Sequence, residues 1–360
     1  MRRIARLLSL MNKKRALVTV VVIAVLGALI YLQVHTWKKF DWATFWTNTE
    51  HVRWDYVAYA IVLIYLTFII RAIRWRIFLK PLRETTTARL IPPQFIGFAG
   101  LALLGRPGEV IRPYLIANRE NLTFASQMAV WLVERIFDMA SVAVMFVVIE
   151  FRGDPFWSAL SNTHLAAQAR WSAGFFFSGI LVVAAVAVLL RKSGYVVADQ
   201  LKKLLEGRSP KLAHGLHAKL LSFTDGLETI SDLSSFVQLA LWSFLMWSMI
   251  ALAYWLVTHA YGGVMAHLGP ASIMLLLVSA MFGSLIQLPG VGGGSQLATI
   301  AVLNRVFGVP NEVAVSCGML LWVSTFMSVI PVGLLIAHRE RLSLRGVVAA
   351  EQKEEAALTD

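Results

Sequence analysis

Charge is scarce in this chain of 360 residues. Only 15% are Asp, Glu, Lys or Arg, and 58% are hydrophobic. A soluble domain carries about 25% charged residues, so a water-soluble globular protein is excluded, as the mean hydropathy of +0.66 requires. Cysteine is nearly absent: Cys317 stands alone, which excludes a disulfide framework and any cysteine-based zinc site and leaves a small apolar residue in a helix. There is no Walker motif, no HExxH, no Asp-rich metal motif and no Ser/His/Asp or Cys/His arrangement with convincing spacing. Catalysis, a metal and a cofactor are therefore not expected. Acidic residues number 21 against 33 basic ones. The excess of base does not point to nucleic acid, because it lies in short stretches between apolar runs, where it sets membrane orientation and meets anionic lipid.

Six stretches approach the roughly 20 apolar residues that a membrane span needs: 16–34, 56–71, 124–150, 173–190, 236–260 and 313–337. The first could pass for a signal peptide, but its apolar core is long and no small-x-small cleavage site follows, so an uncleaved span is expected. Two further apolar regions, 90–117 and 271–307, are interrupted by glycine and proline. With the N-terminus (1–15, six basic residues) in the cytoplasm, 35–55 has three basic residues outside, 72–89 five inside, 151–172 two outside, 191–235 seven inside, 261–270 none outside and the tail 338–360 four inside. The alternation holds only if both interrupted regions return to the side they entered from. The expected architecture is an all-α polytopic membrane protein with about six full spans and two opposed re-entrant helical hairpins. Its halves, 16–150 and 173–337, repeat span, span, hairpin, span in opposite directions. Such inverted repeats are a transporter plan, although accidental matching of apolar segments gives the same pattern. Segment 191–235 reads as amphipathic helices at the inner leaflet. Its His214 and His217 lack a third ligand and read as interfacial residues rather than a metal site.

Ionisable residues inside apolar segments are costly unless paired, and mark function by default. "GLALLGRPGEVIRPYLIANRE" (100–120) holds Gly105, Arg106, Pro107, Gly108, Glu109 and Arg112. Pro107 between two glycines cannot be a helix centre. The chain should turn there, with Ile111 to Asn118 as a short returning helix. Arg106 and Arg112 near its N-terminus suit a phosphate; a Glu109–arginine clamp that merely fixes the hairpin fits the same residues. In "VERIFDMASVAVMF", Glu134 and Asp138 share a helix face and Arg135 reaches Asp138 at i, i+3. This cluster should face the interior, as a relay or as a structural network. "RAIRWRIFLKPLR" is a basic interface from which Arg71 or Arg74 could point inward. "QLPGVGGGSQ" makes the second break with Pro289, Gly290, Gly292, Gly293 and Gly294, flanked by Gln287 and Gln296. With no βαβ unit around it, it is not a dinucleotide-binding loop. Its amides could face a ligand at the helix beginning near Ser295, or simply close a tight turn.

Together these blocks resemble the flippase-like transmembrane region of lysylphosphatidylglycerol synthases, over about 16–338. The resemblance rests on "LLGRPGEVIRPYLIANRENLTFASQMAVWLVERIFDM" and "QLPGVGGGSQLATIAVL", with "RAIRWRIFL" and "SFTDGLETI" in support. It carries family motif positions onto Gly105, Arg106, Gly108, Glu109, Arg112, Glu134, Arg135 and Asp138. In the second hairpin the family usually shows Pro-Gly-Gly-x-Gly-x-x-Glu, often with Arg before the Glu. Pro289 and Gly290 match, but Ser295 and Gln296 stand where the charged pair would be. The resemblance implies a stand-alone member without the soluble aminoacyl-transferase domain, in a bacterial-type inner membrane with both termini cytoplasmic. The expected function is translocation of a phospholipid or polyprenyl-phosphate-linked lipid. Arg106, Arg112 and Arg74 would hold its headgroup, Glu109, Glu134, Arg135 and Asp138 would form a polar network, and the glycines and prolines would serve as hinges. The expected partners are membrane lipids with an anionic or phosphate-bearing headgroup. Two other readings stay open: a non-transporting partner of a separately encoded glycosyl- or aminoacyl-transferase, and a membrane-embedded enzyme acting on a lipid-linked substrate.

Overall fold

The computed structural model describes residues 41–151, 193, 195–204, 215, 217, 218, 220–222, 224, 232–285, 287, 288 and 292–340. The apolar stretches 16–34 and 173–190, the tail beyond Glu340, Pro289, Gly290 and His214 lie outside the described residues. The chain divides into two units, Met1–Glu50 and His51–Asp360. In the first, helix α1 (Trp42–Glu50) starts at Asp41, whose carboxylate accepts the amides of Ala43 and Thr44 at 3.0 and 3.1 Å. The rest concerns the second unit.

Helices α2 (Trp54–Leu79), α3 (Thr87–Leu104), α4 (Ile111–Glu120) and α5 (Phe124–Phe151) are followed by α6 (Leu233–His259), α7 (Pro270–Gly283), α8 (Gly294–Arg305), α9 (Asn311–Trp322) and α10 (Val329–Arg339). The protein is an all-α membrane protein. Four of the described segments are long and apolar enough to cross a membrane: Trp54–Leu79, Thr87–Leu104, Leu233–His259 and Asn311–Arg339. α2 and α6 run antiparallel and are tied at both ends. The Arg53 amide donates to the Ala260 carbonyl at 3.0 Å, and Lys80 lies 3.9 Å from Asp232 at the opposite end.

Both interrupted regions fold back on themselves. In the first, Gly105 ends α3 with φ +72°, a conformation open chiefly to glycine. A 3₁₀ turn, Arg106–Val110, follows with Pro107 in its first turn, where a missing amide proton costs nothing. α4 then returns along α3 so closely that a Cβ on Gly97 would overlap Arg112, and one on Gly108 would overlap the Gly100 carbonyl. The two feet of this hairpin meet: Arg89 bonds Glu120 at 3.1 Å and the Arg119 carbonyl at 3.1 Å. Arg119 also bonds Glu340 at 2.8 Å, so the feet stand beside the end of α10.

In the second hairpin α7 and α8 are joined through a two-residue antiparallel ladder, Gln287–Leu288 with Gly292–Gly293. A Cβ on Gly283 would overlap the Gly294 carbonyl. This hairpin begins just after the Ala260 end of the α2/α6 pair. The two hairpins thus approach from opposite ends, and their tips touch where Arg106 donates to the Ser284 carbonyl at 2.7 Å.

The last segment leans on both. α9 meets α8 where Gly318 faces Ile300, and α10 meets α3 where Gly333 faces Phe95 and Ala99. Between them lies a π turn, Val323–Met327, with Ser328 N donating to the Val323 carbonyl at 2.8 Å. Such wide turns recur at functional sites. The largest apolar core is shared by α2, α6, α7 and α9, including Ile64, Phe68, Met246, Val257, Leu277 and Leu321. Opposite helix faces keep large apolar residues exposed, such as Val62, Leu241 and Leu335, as a lipid-facing surface requires.

Candidate functional site

Where the hairpin tips meet, a cavity of about 420 Å³ opens between α2, the first hairpin, α5, α6, the second hairpin and the π turn. Among the described residues its charged lining is four arginines, Arg71, Arg106, Arg112 and Arg135, and one carboxylate, Glu109.

Behind this lining lies the buried network that "VERIFD" announces. α5 presents Glu134 and Asp138 on one face, and both are buried. Arg112 of the first hairpin grips Glu134 with both ends of its fork, Nη1 to Oε1 at 3.2 Å and Nη2 to Oε2 at 2.5 Å. Its Nη1 also donates to Gln94 Oε1 at 3.0 Å. The guanidinium lies over the rings of Trp75 and Phe98, 4.5 and 5.3 Å from their centres. Arg135 donates to Glu134 at 3.0 Å and lies 2.9 Å from Asp138. Arg74 approaches Asp138 to 2.8 Å and Glu134 to 3.8 Å. The Asp138 contacts lack hydrogen-bond alignment, and both its oxygens go without a hydrogen bond. Two-pronged pairing of this kind fixes geometry as well as charge.

The expected site residues separate into three places. Arg112, Glu134, Arg135 and Asp138 converge. Arg106 and Glu109 do not join them; they pair with each other at the first tip, and Arg106 reaches across to Ser284. Arg74, expected at a headgroup, is fully buried in the network and does not line the cavity. One turn earlier on the same helix, Arg71 lines it instead. Gly292 and Gly293 form the ladder and Gly294 opens α8, where the Gly293 amide is taken by the Gln296 side-chain oxygen at 3.0 Å. That amide is therefore not free for a ligand.

Arg71 is the odd member of the cluster. It is 7% exposed and rests over the Phe98 ring at 4.6 Å, and among the described residues both its Nε and its Nη1 lack a hydrogen-bond partner, where Arg74 and Arg135 each lack one at Nε alone. Trp247 of α6, also on the cavity wall, has a buried Nε1 without a partner. Unsatisfied buried donors are rare and call for an explanation. Here they share one cavity, and five arginines, counting Arg74, against Glu109, Glu134 and Asp138 leave two positive charges unbalanced. The arrangement is equipped to accept an anion with several acceptor oxygens. Trp247 and Gln94 carry no spacing signal that singles them out from other polar residues in apolar segments. Arg71 does carry one, as the arginine deepest in its apolar run.

The model of the lysylphosphatidylglycerol synthase transmembrane region matches residues 16–333. The chain belongs to that family. Searches of curated proteins and of solved structures returned no match. The lysylphosphatidylglycerol synthase membrane region is linked to lipid modification or translocation, and the described cavity lies within the matched range.

Proposed function

We propose that this family member binds a phosphate-bearing membrane lipid in the central cavity and moves it between leaflets. The observation that carries the reading is a cavity with surplus positive charge whose wall includes Arg71 and Trp247, two residues with donors that are buried and, among the described residues, without a partner. Arg71 with Trp247 takes the phosphate, Arg112 and Arg135 supply field while held by Glu134 and Asp138, and Arg106–Glu109 and Ser284 close the space between the hairpin tips. In this reading the hairpins are re-entrant from opposite sides of a bacterial inner membrane. The end bearing Lys80, Arg83, Arg89 and Arg119 is cytoplasmic, in keeping with the bias of basic residues.

The test is lipid movement in vesicles. Purified protein is reconstituted with a tail-labelled fluorescent phosphatidylglycerol, and loss of signal to an impermeant reductant reports exchange between leaflets. Wild type should accelerate exchange, and Arg71→Gln should lose the acceleration while remaining folded by circular dichroism. Binding of the lipid without movement would favour the transferase-partner reading, and neither binding nor movement would overturn the proposal.

A further inference from the structure

The two walls of the cavity differ in chemistry, and that difference selects a headgroup. The first hairpin, α2 and α5 bring Arg71, Arg106, Arg112, Arg135 and Glu109, with Thr67 beside them. The second hairpin brings Ser284, Ser295, Gln296 and Thr299, and α6 and the π turn add Tyr254 and Thr325, all uncharged. Three of these hydroxyls give their protons to helix carbonyls: Ser284 to Met281 at 2.7 Å, Thr299 to Ser295 at 2.8 Å and Thr325 to Leu321 at 2.6 Å. A hydroxyl that has donated keeps its lone pairs as acceptors. Ser284 Oγ also receives Arg106 at 3.4 Å and the Gln296 oxygen receives the Gly293 amide, so the acceptors left for neutral O–H groups include Ser295 and Thr299, while the arginines offer donors to an anion.

We infer, on the proposed reading of this cavity, that its cargo is a lipid with an anionic phosphodiester and an uncharged, hydroxyl-bearing headgroup, and that an aminoacylated, cationic headgroup is rejected. A buried ammonium needs a carboxylate to offset its desolvation. Among the described residues the lining has one, Glu109, and it is already paired with Arg106. Glu134 and Asp138 are buried behind the wall and paired with Arg112, Arg135 and Arg74. An ammonium would face four guanidinium groups with no free counter-charge, and like charges so juxtaposed are a strong specificity device. A polyol headgroup meets no such penalty.

The test compares headgroups on the same labelled tail, by binding to detergent-purified protein and by exchange in vesicles. The probes are phosphatidylglycerol, its lysyl ester, and phosphatidylcholine. Phosphatidylglycerol should bind and exchange at least about tenfold better than either of the others. Ser295→Glu, which puts a carboxylate on the neutral wall, should narrow or reverse the preference for phosphatidylglycerol over its lysyl ester. Equal or better handling of the lysyl ester by wild type overturns this inference and leaves the lipid-binding reading standing. Failure of all three lipids to bind or move overturns that reading, and the headgroup assignment with it.

Discussion

Arg71→Met separates a ligand site from a structural one. The substitution keeps an unbranched apolar stem and removes a guanidinium whose Nε and Nη1 are buried without partners among the described residues. A buried polar group left unsatisfied costs about 1–3 kcal/mol, and the variant escapes that cost. What it gives up is the contact with Phe98, centred 4.6 Å away, worth about 0.5–2 kcal/mol for a cation over a ring. The difference runs from about 1 kcal/mol less stable than wild type to about 2.5 kcal/mol more stable. The same change at Arg112 should do the opposite. It strands Glu134 and Gln94, and breaking a buried pair by removing one partner costs roughly 3–5 kcal/mol. Reversible unfolding in mixed micelles of sodium dodecyl sulfate and a mild detergent, without added lipid, measures both. The pairing of unchanged or raised stability with lost lipid binding is the mark of a residue held in place for a ligand. Destabilisation of Arg71→Met by more than about 1 kcal/mol would refute the reasoning, since that is the loss expected of an ordinary structural residue.

Glu134→Gln removes the charge to which Arg112 and Arg135 bond, and should destabilise by roughly 3–5 kcal/mol in the same assay; retention of wild-type stability would show that the network is not held by charge. Gly108→Ala drives a methyl into the Gly100 carbonyl, so the hairpin must open, at a cost of at least about 1–3 kcal/mol. Wild-type stability of Gly108→Ala in the same assay would show that the tip is not packed this closely. At the start of α6, Asp232 accepts the Ser235 amide at 2.5 Å, and this bond holds its carboxyl below the usual carboxylate range. Since the folded pKa is depressed, the cap contributes above the unfolded value and is lost as pH falls through the folded one. Thermal unfolding of Asp232→Ala should start lower than wild type near neutral pH, and the gap should close in acid.

Much of this arrangement is legible in the amino-acid order. Scarce charge marks the membrane, and Pro107 between glycines marks a turn that no helix could continue through. Glu134, Arg135 and Asp138 in an apolar run mark a buried network. The assignment of roles among the arginines is less legible. Arg71 and Arg74 stand three residues apart on one helix, and only the packing of α5 and α6 decides that Arg74 meets Asp138 while Arg71 is left facing the cavity. Arg106 and Arg112 sit in one motif, yet the turn sends the first to Ser284 and the second to Glu134. The meeting of the tips rests on contacts 178 residues apart, for which local spacing carries no signal. The π turn likewise depends on the two neighbours that the last segment must satisfy at once.

That last segment has a consequence for how the sequence can diverge. Gly318 leaves room for Ile300, and Gly333 for Ala99, so one continuous segment sets side-chain volume on both hairpins. A larger residue at 99 forces α10 outward, and through the π turn it alters how α9 rests on Ile300. Volumes at 99, 300, 318 and 333 are therefore expected to drift together among relatives, as a set of four exchanged in concert.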